Sequence, residues 1–359
     1  MAGFRTYNGV LLGIVGAVAL TIAVVSLHLE PLWGDLTRIG GYRENDFGWR
    51  EPMAYFPEKL FAYGASLEDY DQDYDVIVIG DSFSERSRRP AWQNYWVAQT
   101  GLSLLSFTRD DVSLSELRAS GAYRAHPPRI LIYEIVERSL GFDHRGTMVA
   151  VPFTDAARSW VPVETSPRSV SLVKRSRERR RAIDLNEASN YLYKVILRRL
   201  GGINPTKAVA LDLSRRGLFS SRVSDRLLIY DDDLLKIDVL PGDVDEIRAN
   251  LEGLQYRVEA EGRTVFVCMI APDKPSAYAA YLEPPYSEMG ILPRLADGAD
   301  LRLPRLDLAL QEAIGRGVVD IYLPNDTHWG SEGCRIAAAT VSGYLEKIGV
   351  IQPPTSGSR

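Results

Sequence analysis

Short continuous runs of apolar residues recur along the chain, and apolar residues return at helical spacing in most of the stretches between them. The runs lie at residues 75–80, 103–107, 129–135, 264–270 and 318–322. Runs of this length predict strands that are buried on both faces, and their alternation with helices predicts a parallel, doubly wound sheet. The pattern therefore predicts an α/β domain over residues 75–352.

One apolar stretch is much longer than the others. Residues 9–27 carry no charged side chain, and as a helix they extend for about 28 Å, enough to cross the hydrocarbon core of a bilayer. This length favours a retained anchor over a cleaved signal peptide, whose apolar region is shorter. We expect residues 1–29 to be a single-pass anchor in the inner (cytoplasmic) membrane, residues 30–74 a juxtamembrane spacer, and the domain to be periplasmic or otherwise extracytoplasmic.

The predicted sheet is interrupted at about residues 141–245, a segment too long for a loop. We expect it to form an inserted substructure of its own. It contains a strongly basic run at 174–181 and an amphipathic helical pattern at 191–200. A solvated helical face explains both patterns; docking to anionic lipid headgroups and capture of an acidic polysaccharide are the functional alternatives.

Composition limits the classes of function. The net charge is -5, which argues against a general nucleic-acid binder. The two cysteines, Cys268 in a predicted strand and Cys334 in a predicted helix, do not make a disulfide framework, and their spacing rules out a cysteine metal site. The sequence shows no phosphate-binding loop and no cluster with metal-ligand spacing, so we expect neither a metal nor a cofactor.

Two segments that are distant in sequence carry the groups of a nucleophilic site. The strand at 75–80 runs into Gly80-Asp81-Ser82, which places the Ser82 hydroxyl at the carboxyl end of a strand, where open α/β sheets place their sites. Asp326 and His328 share one short loop near the other end of the chain. Serine needs an imidazole to take its proton and an acid to hold that imidazole in the right tautomer.

Each segment alone also has an ordinary explanation. A Gly-Asp-Ser turn can simply cap a helix, and a histidine can be a satisfied polar side chain. The chain has four histidines, and only His328 has an acid two positions before it and a tryptophan, Trp329, directly after it. We expect Trp329 to orient the loop rather than to contact substrate. The combined constraints predict a triad of Ser82, His328 and Asp326.

These segments resemble the SGNH hydrolase superfamily, and within it the membrane-linked branch that O-acetylates bacterial exopolysaccharides, with the alginate acetylation proteins as familiar members. The resemblance covers roughly residues 75–140 and 264–345. It rests on residues 133–140, on Tyr278, and on the blocks Gly80-Asp81-Ser82-Phe83, Ala271-Pro272-Asp273-Lys274 and Asp326-Thr327-His328-Trp329. It implies a three-layer α/β/α fold with a central parallel sheet.

The chain departs from the family pattern in two ways. In the alginate proteins the Asp-Thr-His-Trp block precedes the serine block, whereas here Ser82 comes first. In the superfamily's esterases the acid is usually three residues before the histidine; here that position is Asn325, and Asp326 lies two before. Triads tolerate such changes because geometry, not chain order, defines them.

The resemblance also implies residues around the triad. The backbone N–H of Ser82, beside Asp81, is expected in the oxyanion hole. The family's glycine and asparagine donors have no counterpart, and Arg109 is a candidate replacement, with a solvated loop arginine as the alternative. Lys274 and Tyr278 are expected to shape a sugar site, although a strand-terminal turn and core packing explain them equally.

The function implied by the resemblance is O-acetylation of a cell-surface or secreted polysaccharide through an acyl-Ser82 intermediate. Acetyl-CoA is not available outside the cytoplasm, so a membrane-bound O-acyltransferase is the implied acetyl-donor partner. A carbohydrate acetylesterase with the same triad is the first alternative, and a non-catalytic polysaccharide-binding assembly factor is the second. Transfer and hydrolysis differ in how well the site excludes water relative to sugar, which the sequence does not determine.

Overall fold

A computed structural model describes residues 2–30, 32–85, 90–143, 161–175, 184–201, 206–286, 290–298 and 300–353. The strands are β1 Met53–Tyr55, β2 Ala62–Tyr63, β3 Val76–Gly80, β4 Leu104–Thr108, β5 Ile130–Val136, β6 Val173–Arg175, β7 Ala208–Leu213, β8 Arg226–Tyr230, β9 Val265–Ala271 and β10 Leu282–Glu283. The helices are α1 Ala2–His28, α2 Asp35–Gly40, α3 Glu44–Phe47, α4 Trp92–Thr100, α5 Leu114–Ala119, α6 Gly121–Ala125, α7 Leu140–Asp143, α8 Leu185–Gly201, α9 Pro241–Glu259, α10 Lys274–Tyr278, α11 Leu292–Ala296, α12 Leu306–Gly315 and α13 Ser331–Lys347. Short 3-10 helices span Leu67–Asp69, Glu137–Ser139, Asp231–Asp238 and Ala279–Tyr281.

The centre of the fold is a parallel sheet of five strands in the order β2-β4-β3-β5-β9. From β3 the chain moves to β4 on one side and then returns to β5 on the other. The strand order therefore reverses next to β3, and in open α/β sheets such a switch point is where ligands bind. The predicted α/β class and parallel sheet are confirmed, and so are the strands that became β3, β4, β5 and β9.

The predicted strand at 318–322 is wrong. Only Tyr322 pairs, through an isolated bridge to Trp329, and Asp320 just before it has a left-handed backbone with φ 55°, which ends an extended run. The fifth strand of the sheet is β2 instead. It has only two residues, too few to produce a hydrophobic pattern.

Helices cover both faces of the sheet. Alternate strand residues such as Val76 and Val78 belong to one apolar cluster, which they share with side chains of α4, α12 and α13. Their neighbours Ile77 and Ile79 belong to a second cluster with side chains of α5, α6, α9 and α11. Because both faces are buried, the strands are apolar throughout, as the sequence pattern indicated. Cys268 and Cys334 are buried and unbridged.

The interrupting segment at 141–245 contributes β6, α8, β7 and β8, and α9 already begins within it. Strands β7 and β8 form a small antiparallel sheet with β10. Of the basic run at 174–181, residues 174 and 175 lie in β6, which pairs with β1. Residues 176–181 lie outside the described residues.

Residues 30–74 are not the spacer that the sequence suggested. They contain α2, α3, β1 and β2, and β2 is an edge strand of the central sheet. Leu36 of α2 and Phe47 of α3 are buried in a third apolar cluster, together with Ala208 of β7 and Leu228 of β8. This segment is therefore part of the folded domain, and the small sheet holds α2 in place.

The N-terminal helix α1 is apolar and mostly exposed. Within its span from Phe4 to His28, only 6% of the most apolar stretch of 18 residues is buried. The helix is long and apolar enough to cross a membrane, a property that signal sequences share. Its last turn is packed: Ser26 is buried, and the helix contacts α8.

Candidate active site

The turn that follows β3 presents Ser82. A Cβ atom added at Gly80 would lie 2.5 Å from the Ser84 side chain and 2.6 Å from Glu134 Oε2, so this close approach requires glycine. The Asp81 carboxylate accepts hydrogen bonds from the Phe83 N–H at 3.0 Å and, through its other oxygen, from the Val136 N–H at 2.6 Å. Asp81 thus fixes the turn and joins the ends of β3 and β5.

A buried acid lies beneath this turn. Glu134 of β5 accepts hydrogen bonds from the Asp81 N–H at 3.0 Å and from the Ser84 hydroxyl at 2.9 Å, and Trp92 Nε1 donates to the same hydroxyl at 3.1 Å. Burial, reinforced by the nearby Asp81 charge, raises the pKa of Glu134 well above its usual range. The sequence analysis missed this support, although a lone acid inside an otherwise apolar strand was a signal for it.

The structure brings the three predicted triad residues together. His328 Nε2 lies 2.8 Å from Ser82 Oγ, and His328 Nδ1 lies 2.6 Å from Asp326 Oδ1. The imidazole ring packs against Phe83, with ring centroids 4.7 Å apart, and the histidine is buried. This is the hydrogen-bond order of a serine nucleophile, a general base and an orienting acid.

Asp326, and not the residue three before the histidine, meets the imidazole. Asn325 faces away: its side-chain N–H donates to Glu44 Oε1 at 2.6 Å, and its backbone carbonyl accepts from the Leu36 N–H at 3.1 Å. Both partners belong to the segment that follows α1. Asn325 therefore anchors the loop, while Asp326 remains available to His328.

A second carboxylate stands behind the imidazole, and the sequence analysis missed it. Asp35, the first residue of α2, accepts hydrogen bonds from the Thr327 N–H at 2.9 Å and the Thr327 hydroxyl at 2.6 Å. Its Oδ2 lies 3.7 Å from His328 Nδ1, and its own N–H donates to Asp326 Oδ2 at 3.3 Å. Burial, then repulsion from Asp326, raises the pKa of Asp35.

The entry to α2 approaches residues 323–330, the candidate catalytic loop, closely. A Cβ atom added at Gly34 would lie 1.9 Å from the carbonyl oxygen of Asn325, a distance that no side chain can tolerate. Glycine at this position lets the backbone of residues 34–37 lie against the backbone of residues 325–327. No local pattern around Asp35 predicted this contact, because its partners are almost the whole chain away.

Lys274 lies behind the catalytic loop, with only 1% of its surface exposed. Its ammonium group donates to the carbonyl oxygens of Leu323 at 2.7 Å, Pro324 at 3.1 Å and Asp326 at 3.1 Å. Burial lowers the pKa of Lys274 to about 7, against the opposing charges of Asp35 and Asp326. The structure thus places Lys274 where it holds the loop backbone, not where a sugar would bind.

Two other aromatic residues singled out in the sequence are interior. Tyr278 is fully buried, and its ring centroid lies 4.8 Å from that of Phe219. Trp329 is 2% exposed and packs on Phe83 at 4.5 Å between centroids. Trp329 therefore joins the catalytic loop to the serine turn, whereas the Tyr278 ring lies in the core.

Ser82 opens onto a cavity of about 540 Å³ at the carboxyl edge of the sheet. Its walls are mostly polar, with hydroxyls, carboxylates and guanidinium groups around Val136. The lining residues are Tyr63, Asp81, Ser82, Glu85, Thr108, Arg109, Asp110, Asp111, Val136, Arg138 and Ser139. The sequence-predicted Arg109 is thus in the same cavity as Ser82, and its side chain also contacts the Tyr133 hydroxyl at 3.5 Å.

Arg138 is a cavity residue that the sequence analysis did not select. Its guanidinium donates to Asp273 at 2.9 Å and to Asp233 at 3.2 Å. Burial alone would lower the pKa of Arg138, but the charges of Asp273 and Asp233 outweigh it and raise the pKa. Arg138 therefore supplies a fixed positive charge to the wall of the cavity.

Asp35, Asp326 and His328 are ligand types that could hold a metal ion, and one ligand atom from each lies within 4.8 Å of the others. These atoms already bind one another or Thr327, at 2.6 Å in the His328–Asp326 and Thr327–Asp35 pairs. Each carboxylate oxygen of Asp35 and Asp326 accepts from an N–H or O–H donor of the protein. The arrangement suits the positioning of a general base without an ion.

The site can therefore activate a serine, accept its proton and stabilise the resulting imidazolium. Comparisons with protein-family models, with curated proteins and with solved structures found no match for this chain. The geometry of the site and the chemistry of its cavity are therefore the structural observations that bear on function.

Proposed function

We propose that the protein is a serine O-acetyltransferase that transfers an acetyl group to hydroxyls of a cell-surface or secreted polysaccharide. The observation that carries this proposal is the continuous hydrogen-bond relay from Ser82 through His328 to Asp326, with spacings of 2.8 Å and 2.6 Å. The resemblance of the serine and histidine blocks to the polysaccharide-acetylating branch of the SGNH superfamily supports the choice of acyl group and acceptor.

In the first half-reaction, Ser82 Oγ attacks the carbonyl carbon of an acetyl ester while His328 Nε2 takes the serine proton. The tetrahedral intermediate collapses, the donor oxygen leaves with that proton, and acetyl-Ser82 remains. In the second half-reaction, a sugar hydroxyl gives its proton to Nε2 and attacks the acetyl carbon. The product ester leaves, and Nε2 returns the proton to Ser82 Oγ.

Asp326 and Asp35 have different parts in this scheme. Asp326 accepts the Nδ1–H of the imidazole and stabilises the imidazolium that forms twice per cycle. Asp35 acts through Thr327 and through its position beside Asp326, so it is a positioning residue. In the oxyanion hole, the Ser82 N–H and the side chain of Arg109 are the proposed donors, because both border the cavity that receives the acyl carbonyl.

The lining of the cavity supports a short acyl group and a hydroxyl-rich acceptor. A long acyl chain requires an extended apolar wall, whereas the walls here consist mainly of Tyr63, Thr108 and Ser139 hydroxyls with charged side chains. Such groups match the many donors and acceptors of a carbohydrate. A polar cavity also admits water, which favours a carbohydrate acetylesterase as the second candidate function.

The N-terminal helix supports a location at a membrane. Its last turn packs against α8, and the Leu32 N–H just beyond it donates to Glu187 at 3.1 Å, so the helix is integrated with the domain. A retained helix would keep Ser82 near a membrane-bound O-acyltransferase that exports acetyl groups. The family resemblance is what supports such a partner.

The test uses the purified full-length protein with an activated acetyl ester, with and without oligosaccharides, and reads products by mass. Acetylated oligosaccharide together with an acetyl adduct on Ser82 is the expected result. Free acetate whose rate is unaffected by oligosaccharide would select the esterase. Absence of both turnover and adduct would contradict either enzyme and leave a binding protein. Ser82→Ala is the negative control, and Ser115→Ala is the matched control away from the nucleophile.

A further inference from the structure

Helix α8 presents an apolar stripe to the outside of the molecule. Tyr193 is 62% exposed, Ile196 49% and Leu200 84%. These positions are three and four residues apart, so on a helix they lie along one side. A stripe of this kind requires a partner, because neighbouring large apolar side chains are costly to leave in water.

The side of α8 that faces away from the stripe binds α2. Lys194 donates to the carbonyl oxygen of Arg38 at 2.8 Å, and Arg198 donates to the carbonyl of Gly40 and lies 4.1 Å from the centre of the Tyr42 ring. Arg199 is exposed and lies beside the stripe, directly before Leu200. Burial and then the charge of Arg38 lower the pKa of Lys194, so several cations are crowded where α2 and α8 meet.

The first turns of α8 lie against the end of α1. Ala188 of α8 and Ser26 of α1 are both buried, and Glu187 binds the Leu32 N–H just after α1 ends. Trp33, the next residue, is 48% exposed. If α1 crosses a bilayer, its end marks the boundary between lipid and water, and α8 starts at that boundary. Tryptophan is enriched at this depth.

We propose that α8 is an interfacial helix, with Tyr193, Ile196 and Leu200 inserted between lipid headgroups and with Arg199 against anionic headgroups. An exposed apolar stripe with a cation beside it suits a helix that lies in this zone. Continuity with α1 selects lipid as the occupant, because the stripe belongs to a helix that is already fastened to the membrane-crossing element. This inference does not depend on the acyl-transfer chemistry.

The proposal has a structural consequence for the site. Lys194 and Arg198 donate to carbonyl oxygens in the second half of α2. Asp35, the first residue of α2, binds Thr327 of the catalytic loop. Lipid contact along α8 would therefore fix the orientation of the domain as well as its attachment.

The experiment is spin labelling of single added cysteines in the full-length protein in lipid nanodiscs. Cys268 and Cys334 are buried and can be left in place. Labels are introduced by Ile196→Cys and Leu200→Cys, with Leu308→Cys as the control because Leu308 is also exposed, at 54%, but lies in α12. In nanodiscs with anionic lipid, we expect the rate at which the label collides with a water-soluble relaxant to be about threefold lower at positions 196 and 200 than at the control position 308. We expect the rate of collision with oxygen to be higher at 196 and 200 than at 308.

Three outcomes separate the occupants. Equal water accessibility at 196, 200 and 308 overturns the proposal. Water accessibility in nanodiscs combined with protection in native membranes also overturns it, in favour of a protein partner. Protection in nanodiscs that weakens when anionic lipid is replaced by neutral lipid, and weakens again in Arg199→Gln, supports insertion assisted by charge. Activity on a small ester is measured in parallel, so that failure of the acyltransferase proposal is seen separately.

Discussion

The two sides of the His328 imidazole are built in opposite ways. Ser82, on the Nε2 side, is held by its immediate neighbours in sequence and by the adjacent strand, through Asp81 and Glu134. Asp326, on the Nδ1 side, lies in a loop that is held from distant parts of the chain, by Asp35 in α2 and by Lys274 after β9. The serine side belongs to the core of the sheet, whereas the acid side depends on the segment next to α1.

The acid side should therefore be the less stable side of the site. A strand buried on both faces is among the last parts of a protein to open, while a loop held by a few hydrogen bonds opens locally at lower free energy. Ser82 should therefore stay in place under perturbations that displace the candidate catalytic loop with Asp326. Substitutions on the two sides can test this contrast directly.

Removing the nucleophile should have the largest effect. Ser82→Ala should lower turnover of an activated acetyl ester by about 10⁴-fold or more, because the covalent route is lost. The melting temperature should stay within about 2 °C of the unmodified protein, since no core cavity is opened. Substantial activity in the folded variant would show that Ser82 is not the nucleophile.

Substitution of the acid in the candidate catalytic loop should have the next largest effect. Asp326→Asn should lower kcat by about 10³-fold to 10⁴-fold, because an amide offers the imidazole N–H the wrong partner. Asn325→Ala should act mainly on stability, since it removes the buried contact with Glu44 and leaves the His328 contact intact. Kinetics and thermal denaturation of both variants give the ranking, and a reversed ranking would mean that the loop uses a different geometry.

The support from α2 should matter by an intermediate amount. Asp35→Asn disturbs two buried hydrogen bonds to Thr327, worth about 1.5–3 kcal/mol together, so we expect kcat to fall about 10-fold to 100-fold with little change in KM. Asp46→Asn is the matched control, because Asp46 lies in the same segment but pairs with Arg222. Equal effects of the two variants would indicate general destabilisation and not positioning.

Truncation at the N-terminus tests whether the site needs α2. Deleting residues 1–29 leaves Asp35 and α2 in the chain, so activity on a small ester should be retained. Deleting residues 1–41 removes them and should abolish it. Equal ester activity in the two proteins would show that the candidate catalytic loop keeps its active geometry without the segment after α1.

Lys274 gives a pH-dependent test of the acid side. Its pKa is lowered to about 7 in the fold and is about 10.4 in an unfolded chain. Between these values the unfolded chain holds the extra proton, so raising the pH should favour folding. The stability of the unmodified protein relative to Lys274→Met should therefore increase by more than about 1 kcal/mol from pH 7 to pH 9.5 in denaturant unfolding. A constant difference would contradict the lowered pKa.

The buried acid on the serine side should show the smallest effect when it is replaced conservatively. Burial raises the pKa of Glu134, so a neutral amide is close to its favoured state, and Glu134→Gln should change kcat by less than about threefold. Glu134→Ala should destabilise by about 2–4 kcal/mol, since it leaves the Asp81 N–H and the Ser84 hydroxyl without their acceptor. A large kinetic loss in Glu134→Gln would mean that a carboxylate charge is needed under Ser82.

The same contrast explains what the sequence could predict. The strands β3, β4, β5 and β9 were found within about one residue, because continuous apolar runs report burial on both faces. Ser82, Asp326 and His328 were found because the chemistry restricts residue types. The two-residue strand β2 was missed since it is too short to form a pattern, and 318–322 was misread because Asp320 turns the backbone.

Asp35 could not be predicted for a different reason. Its contacts with Thr327 and Asp326 join residues 291 and 292 positions apart, and one sequence carries no record of such a pairing. Lys274 was selected, yet its burial beneath the loop depends on how β9 and the catalytic loop meet. Periodicity reports which face of an element is buried, but it does not report which elements meet there.

The short connection after α1 sets a limit on distance. His28 and Asp35 are seven residues apart, and even a fully extended chain of that length spans only about 25 Å. With α1 in the bilayer, the catalytic loop stays in a layer next to the lipid that is no thicker than the bilayer itself. In the proposed acetyltransferase, a polymer would be modified only while it passes through that layer.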